Sequence, residues 1–588
     1  MGKKELDCYI VYTADEHCSE YIDDHYKFRE YLSGFTGSAG TLLVTMDDAG
    51  LWTDGRYYIQ AERELAGSGI RLYKAGQEGV IDVSEYTGNL ARKARTKGCH
   101  FNTGADFTLI SATACRKLKK ICADEGGSLK DIDLANVLWK DRPQKTCNPV
   151  YRIGPELSGR LTEDKLASIR SRLIEFKADA VVLTDLGDVM WTFNIRGSDI
   201  MYNPVAVSYG LIGRDEAYLF LQNGCCPPEL KEEFEKEGIS VADYEAFDDY
   251  LATLKGKRIL CDNTTMNARV MEELNGNELI NRRSYEFVDK HIKNDTEIEL
   301  ARNWHIEDGL AVTRFVYKIK KCVREDSVPI NEYGAANLLD DMRKNIPGNL
   351  GLSFETISAY GSNGAIIHYS PYIEGSAQLK SEGFLLVDSG GQYEGATTDI
   401  TRTIALGTLT EEMRRDYTSV LKGVLDLADA VFPEGIRGEN LDILARRPIW
   451  ERYIDYRHGT GHGVGAQLSV HEGPQSFKYR IDKNNIQPPF KPGMITSDEP
   501  GIYLEGEYGI RIENLLVCVE KNSNEWGRFL GFETLTMVPY EREAIIPEML
   551  TIRQRDIIND YHRTIYSLYS ERLDEGERMW LSEVTAPI

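Results

Sequence analysis

Long hydrophobic runs are missing from this chain of 588 residues, and none is long enough to span a bilayer, so no membrane-embedded role is expected. The opening MGKKELDCYIVYTADEH holds an apolar stretch far too short for a secretory signal. It begins Met-Gly, but Leu6 stands where N-myristoylation asks for Ser or Thr. Cysteine is sparse and unpaired in pattern: there are 11, an odd number, and none forms a CxxC. The adjacent Cys225 and Cys226 lie in a Gly/Pro-flanked turn, NGCCPP, poorly placed to share a metal. A chain of this size needs no disulfide framework, so reduced thiols and a cytoplasmic location are expected. Positive charge is also short. Lys and Arg number 69 against 93 Asp and Glu, a net charge of −24, which repels phosphate backbones and argues against nucleic-acid binding. A plain solvated acidic surface accounts for that excess, with at most mild attraction for cationic peptides.

What is present is an ordinary globular composition, 42% hydrophobic, in a length that suggests three or four domains at about 100–200 residues each. A first segment, 1–150, opens on the strand-like CYIVYT and continues through GFTGSAGTLLVT and GLWTDGRYYIQAERELA, strands broken by glycine turns and then a helix. DRPQKTCNP, residues 141–149, reads as a linker. In a second segment, 151–293, Thr162 is placed to cap a helix whose apolar face is Leu166, Ile169, Leu173 and Phe176. The strand-like ADAVVLTDLGDVMW follows, then SYGLIG and AYLFLQ. CYIVYTADEH parallels AVVLTDLGD, and YLSGFTGSAG parallels FNIRGSD, which we read as an internal repeat of one α/β unit; two unrelated α/β domains are the alternative. The third segment, 294–588, starts with a long helix, NDTEIELARNWHIEDGLAVTRFVYKIKK, acidic early and basic late as the helix dipole prefers. A helical tail rich in Tyr and Leu, roughly 550–575, serves packing or a dimer contact.

The unusual feature lies in the third segment, where acidic residues sit inside apolar, strand-like sequence. GFLLVDSGGQY places Asp388 after a buried-looking strand, and ATTDITRTIAL places Asp399 inside the next. The Gly-Gly between them suggests a hairpin that brings the two carboxylates together. GMITSDEPGIY puts Glu499 at a strand end, and GIRIENLLVCVE puts Glu513 within another strand. Four of the ten histidines, His368, His458, His462 and His471, fall in the same stretch. A buried ionised carboxylate is costly unless paired or metal-bound. One such residue has a bland explanation as a salt bridge or cap; four together with HGTGHG do not. Hard oxygen donors with one imidazole suit Mn²⁺, Zn²⁺, Co²⁺ or Fe²⁺ rather than a thiolate-bound structural zinc. Asp388, Asp399, His462, Glu499 and Glu513 are too many for one catalytic ion that keeps an open position. Shared through bridging carboxylates, they fit two ions about 3.5–4 Å apart, which can activate a hydroxide and polarise a carbonyl for amide hydrolysis.

The ordered set DSGGQY, TDITRT, HGTGHGVG, SDEPGIY and GIRIEN resembles the pita-bread metallopeptidases, and NGAIIHY, WTDGRYY and FNIRGSDIMYNP narrow the resemblance to aminopeptidase P, the Xaa-Pro aminopeptidases, over nearly the whole chain. The resemblance implies two creatinase-like α/β domains followed by a pita-bread catalytic domain, in the three-domain cytosolic form. It implies that Asp388 chelates one metal, that Asp399 and Glu513 bridge both, and that His462 and Glu499 complete the second. Glu499 would also shuttle the proton from a metal-bridging hydroxide to the leaving imino nitrogen. Arg511 resembles the arginine that orients a ligand carboxylate. His368, His458 and His471 match the substrate-side histidines, with His471 donating to the carbonyl oxygen; a hydrogen-bonded core histidine is the alternative for each. Arg56, in WTDGR, matches a first-domain arginine that reaches the substrate; in isolation it would be a surface salt bridge. Relative to the family the N-terminus is slightly shortened, with no expected effect on chemistry. The implied cofactor is a pair of divalent ions, Mn²⁺ ahead of Zn²⁺ or Co²⁺. The implied partner is a peptide with proline second, and a homodimer is expected.

Two rivals share the fold and the ligands. The two extra N-terminal domains argue against a methionine aminopeptidase, and the length with WTDGR argues against a prolidase acting on dipeptides. A rival of another class is a non-catalytic, peptidase-like binding module, as in an acidic histone chaperone. The net charge allows it and the intact ligand set opposes it.

Overall fold

The structure is a computed structural model that describes residues 1–325, 329–481 and 486–588. The chain forms two compact units. The first comprises Met1–Pro155 with Arg160–Asp289, and the second Glu156–Gly159 with Lys290–Ile588.

The first unit holds two six-stranded sheets. One is built from β1 (Cys8–Tyr12), β2 (Thr41–Thr45), β3 (Ala49–Thr53), β4 (Arg71–Lys74), β5 (Asn102–Ala105) and β6 (Ser128–Asp131), in the order β4-β3-β2-β1-β5-β6. The other is built from β7 (Ala180–Leu183), β8 (Ser208–Gly213), β9 (Ala217–Leu221), β10 (Ile239–Asp243), β11 (Arg258–Cys261) and β12 (Glu278–Asn281), in the order β10-β9-β8-β7-β11-β12. Strand directions match pair by pair. β1 runs antiparallel to β2 and parallel to β5, as β7 does to β8 and β11. The repeat read from CYIVYTADEH and AVVLTDLGD is therefore one topology used twice, with those two segments as the matching central strands.

Two local readings change. The helix α1 (Thr162–Glu175) takes Thr162 as its first residue; the cap position is Leu161, without a side-chain cap bond. The Thr162 hydroxyl accepts instead from Arg152 Nη2 at 3.0 Å. Leu166, Ile169 and Leu173 are buried as the spacing predicts, while Phe176 is half-buried beyond the last turn. In ADAVVLTDLGDVMW only Ala180–Leu183 is strand. Asp185 then accepts from the Asp188 backbone N–H and caps a helix, α2 (Leu186–Phe193), whose apolar residues are buried on all sides.

The second unit begins with α3 (Asp295–Arg324). Asn294 caps it by accepting from Glu297 N–H, and the Glu297 side chain returns to Asn294 N–H. α4 (Glu332–Lys344) packs beside it. A three-stranded antiparallel sheet follows, β13 (Ile357–Tyr360), β14 (Phe384–Ser389) and, after a small hairpin of β15 (Gly391–Tyr393) with β16 (Ala396–Thr397), β17 (Ile400–Ala405). Phe315, Ile319, Leu339, Leu385, Val387 and Ile404 form the core between this sheet and α3 and α4. Helices α5 (Glu411–Ala428) and α6 (Gly438–Trp450) pack on each other. The later strands are β18 (Ile495–Asp498), β19 (Gly501–Leu504), β20 (Tyr508–Arg511), β21 (Asn514–Asn524) and β22 (Gly527–Thr534). β18, β21 and β22 share a sheet, while β19 and β20 form a hairpin. The tail contains two helices rather than one, α7 (Ile552–Tyr569) and α8 (Glu575–Val584). Its packing role is visible in Tyr569, whose hydroxyl reaches the carbonyls of Ile306 and Met537 at 2.9 Å. Among the described residues no helix is long and apolar enough to cross a membrane.

Candidate metal centre

The hairpin expected around the Gly-Gly pair exists, with its turn elsewhere. β14 pairs with β17 so that Asp388 lies opposite Thr401, and the chain reverses at Glu394–Gly395, at the tip of β15 and β16. Gly390 serves a close approach: a Cβ there would sit 2.1 Å from the Thr398 carbonyl oxygen. Asp399 immediately precedes β17 rather than lying inside it, and Glu513 occupies the break between β20 and β21 rather than a strand interior. Glu499 follows β18 directly, as expected, and its N–H donates to Thr460 O at 2.8 Å. Strand ends suit ligands, because a residue released from the ladder can aim its side chain without breaking a pairing.

These placements bring the proposed ligands together. His462 Nε2 is 3.5 Å from Asp399 Oδ2 and 3.5 Å from Glu499 Oε1. One donor atom each from Asp399, His462 and Glu513 lie within 4.8 Å of one another. His462 Nδ1 meets Gly463 O at 3.0 Å; a carbonyl only accepts, so the proton sits on Nδ1, and in the neutral ring Nε2 carries the free lone pair that a metal could take. Arg511, fully buried, bonds Asp388 Oδ2 through Nη2 at 2.5 Å and Nε at 3.2 Å. Its Nε also reaches Thr401 Oγ1 at 3.3 Å, and that hydroxyl donates to Glu513 Oε2 at 2.7 Å. Arg511 therefore acts on Asp388 directly and on Glu513 through Thr401.

The electrostatics ask for cations. Burial raises the Asp388 carboxyl, Arg511 opposes that and Asp399 adds to it. Burial pushes Glu499 up to about 7, against the pull of His462 and Arg511 and with the help of Asp399 and Asp388. Glu513 stands well above the carboxylate range through burial and then the charges of Asp399, Glu499 and Asp388. Burial alone would lower His462, but its bond to Asp399 and the charges of Glu499 and Asp399 carry it up to about 9. Asp388 Oδ1, Asp399 Oδ1 and Glu513 Oε1 are buried with no hydrogen-bond partner among the described residues. Acceptor-only oxygens left this way cost free energy that divalent ions recover, and the oxygen-rich donor set with one imidazole fits two such ions.

The substrate-side candidates fall into place unevenly. The His471 ring lies edge-on to His462, 4.4 Å between centroids. His458 Nδ1 meets Gly459 O at 2.7 Å and its Nε2 meets Tyr503 OH at 2.9 Å. Tyr503 in turn accepts from Arg511 Nη1 at 2.9 Å, so donation runs from Arg511 through Tyr503 to His458. His368 is half-buried on the loop after β13, and the neighbouring Ile367 carbonyl is 3.4 Å from Arg511 Nη2. Arg56, in the first unit, is held by Asp54 at 2.9–3.0 Å and by Glu20 at 3.3 Å. That is the ion pair the isolated motif allows.

Sequence reasoning overlooked Tyr503, Thr401 and two buried arginines. Arg402 donates from Nη1 to the carbonyls of Glu513 at 2.6 Å and Thr401 at 2.9 Å, and so fixes the backbone that carries Glu513. Its signal was available as a charge inside the apolar strand ITRTIA. Arg343 pairs with Asp308 at 2.6 Å, both side chains 0% exposed. Arg343 also donates to Ser389 O at 3.2 Å, and Asp308 accepts from the Thr398 hydroxyl at 2.7 Å. The pair thereby pins the residue after Asp388 and the residue before Asp399. Nothing local marks it, since the partners sit on two different helices.

Comparison with known proteins agrees with this picture. The metallopeptidase family M24 matches residues 299–520 and its C-terminal region residues 528–588. The creatinase/prolidase N-terminal domain matches twice, over 1–143 and 141–297. A probable Xaa-Pro aminopeptidase P of Laccaria bicolor is 36% identical over 100% of this chain and 92% of its own length. Aminopeptidase P2 of Arabidopsis thaliana is 36% identical over 99% of this chain and 86% of its own. The crystal structure of the X-prolyl aminopeptidase from Caenorhabditis elegans, described as a cytosolic enzyme with a di-nuclear active site, superposes with a TM-score of 0.93 at 32% identity. It covers 99% of this chain and 95% of that one. The Xaa-Pro dipeptidase from Bacillus anthracis covers 65% of this chain at 24% identity and a TM-score of 0.50, a likeness of fold alone.

Proposed function

The chain belongs to the aminopeptidase P family of M24 metallopeptidases, and from that premise we propose that it releases the first residue from peptides whose second residue is proline. The observation that carries this reading is the buried cluster of Asp388, Asp399, His462, Glu499 and Glu513, with three carboxylate oxygens left without hydrogen bonds. Two divalent ions, Mn²⁺ ahead of Zn²⁺ or Co²⁺, would supply the Lewis acidity that activates water and polarises the scissile carbonyl.

The chain's own residues divide the remaining work. Asp388, held by Arg511, would serve one ion; Asp399 and Glu513 would bridge both; His462, presenting Nε2, and Glu499 would complete the second. Glu499 takes a proton from the attacking water and delivers it to the departing proline nitrogen. That nitrogen carries no hydrogen in the substrate, so an exopeptidase that relies on an N–H donor there fails, and a site shaped for the closed ring accepts it. His471, whose ring lies against that of His462, would donate to the carbonyl oxygen as charge develops on it. His458, fixed by Tyr503, and His368 face the peptide. Arg56 stays a substrate-binding candidate on its family motif alone, with Asp54 and Glu20 as its partners in the first unit.

A substrate panel with added Mn²⁺ tests the reading: peptides of the form Xaa-Pro-Xaa, Xaa-Pro dipeptides and Met-Ala peptides. Release of the first residue from Xaa-Pro-Xaa peptides is expected to be fastest. Faster cleavage of Xaa-Pro dipeptides would make the protein a prolidase, and faster cleavage of Met-Ala peptides would sink the proline preference. Less than one equivalent of metal, with no gain on adding Mn²⁺, would favour a binding module. We place the protein in the cytoplasm as a homodimer; sedimentation measures the latter.

A further inference from the structure

Glu332 opens α4 and is 0% exposed. Its Oε1 accepts from the Tyr360 backbone N–H at 2.7 Å and from Asn363 Nδ2 at 3.0 Å. Its Oε2 accepts from the Tyr369 hydroxyl at 2.8 Å, the Ala377 backbone N–H at 2.8 Å and Asn363 Nδ2 at 3.2 Å. All four groups are neutral donors. An ionised carboxylate has about four lone-pair directions and no hydrogen of its own, so it satisfies them together. A glutamine in its place would offer one acceptor oxygen and turn an NH₂ toward groups that also donate.

These donors share one feature: they span residues 360–377, both ends of the loop that carries His368. Tyr360 is the last residue of β13, the strand whose Ile357 lies opposite Asp388, and Tyr369 is the neighbour of His368. The loop is fixed at two further points. Its backbone at Gly364 lies against Gly509 so closely that a Cβ on Gly509 would sit 1.7 Å from the Gly364 carbonyl oxygen. Ile367 O receives Arg511 Nη2 at 3.4 Å. Gly509 and Arg511 both belong to β20, so the loop is braced from β20 on one side and from Glu332 on the other.

We propose that Glu332 is a positioning residue, a single buried acceptor that sets where His368 is presented to the peptide. The proposal rests on the reading that His368 faces substrate. Its mechanism is polar rather than metallic: the groups Glu332 holds all belong to the His368 loop, and its loss moves that loop, not an ion.

The experiment compares wild type, E332Q, H368A, the double variant E332Q/H368A and Y369F, all full-length and Mn²⁺-loaded, on an Xaa-Pro-Xaa peptide. E332Q is expected to lower kcat/KM by about 10–10²-fold, the range for a misplaced catalytic contact, with metal stoichiometry unchanged. Y369F, which removes one donor of the four, is expected to fall by a smaller factor. The double variant should be no worse than H368A, because residues acting through one another are not additive. A purely structural role would instead multiply the two losses, and that outcome overturns the proposal, as does a folded E332Q with wild-type kcat/KM. If E332Q does not fold, Y369F and Y369F/H368A carry the same comparison, and wild-type kinetics in Y369F would then overturn it. Wild-type kinetics in H368A alone would remove the substrate-side reading of His368. An impaired H368A beside an unimpaired E332Q leaves that reading standing and removes only Glu332.

Discussion

Metal binding at this centre should be strongly linked to proton release. In the metal-free protein Glu499 is held at about 7 and His462 at about 9. Ligation requires the carboxylate and the neutral imidazole. Near pH 6 both groups carry a proton, so binding expels about two protons from this pair; near pH 8 Glu499 has already ionised, and about one is expelled, from His462. The slope of log affinity against pH equals the number released, so this pair alone should raise the affinity for Mn²⁺ about 10³-fold between those two pH values, and any proton held by Glu513 or Asp388 adds to that rise. The rise of Glu499 from 4.5 to about 7 corresponds to about 3 kcal/mol against ionising it without the metal. Calorimetric titration of metal-stripped protein, in buffers of different ionisation enthalpy at each pH, counts the protons directly. E499Q should remove about one proton from the count at pH 6 while keeping the His462 proton at both pH values. Release near zero at both, or the same number at both in the wild type, would refute the coupling of burial and like charge on which this centre is read.

The same values set the sign of stability against pH. Between 4.5 and about 7 for Glu499, and between 6.5 and about 9 for His462, the native state holds more protons than the unfolded one. Metal-free protein should therefore lose stability as pH rises from about 5 to 9, and saturating Mn²⁺ should flatten the melting profile; a metal-free Tm that climbs over this range contradicts it. Arg511→Lys keeps the charge but loses the fork that reaches Asp388, Thr401 and Tyr503, and should weaken metal affinity by about 10–100-fold, read by competition with a chelator. Arg343→Leu leaves Asp308 buried without its partner and should cost about 3–5 kcal/mol in denaturant unfolding; a loss below about 1 kcal/mol would mean that the hairpin stem does not depend on the pair. His471→Ala should lower kcat by about 10²–10³-fold with metal content intact, and an unchanged kcat would demote it to a structural histidine.

Much of the fold was legible because its signals are local. Short strand-like runs marked β1, β2 and β8, and the acidic start and basic end of α3 marked that helix, whose Asn294–Glu297 cap the structure added. The repeat was readable in its central strands, although its proof lies in two sheets of identical order. Local errors also had local causes. Thr162 looked like a cap because hydroxyls favour that position, yet a donor from Arg152 claimed it one residue into the helix. Asp399 and Glu513 looked like strand residues because strands adjoin them, and hydrogen-bond registers that cannot be read from one sequence leave both just outside.

The metal centre itself shows the same division. The sequence by itself singled out the five residues we propose as ligands, since ionisable groups in apolar surroundings are too costly to be accidental. It could not determine what holds them. Arg511 on Asp388, Thr401 on Glu513, and Asp308–Arg343 on the hairpin stem are contacts between residues 35 to 123 apart, made by chains that meet only after folding. Burial marks a residue through its own neighbours in sequence, whereas a hydrogen bond is a property of two positions at once, and only the tertiary structure supplies the second.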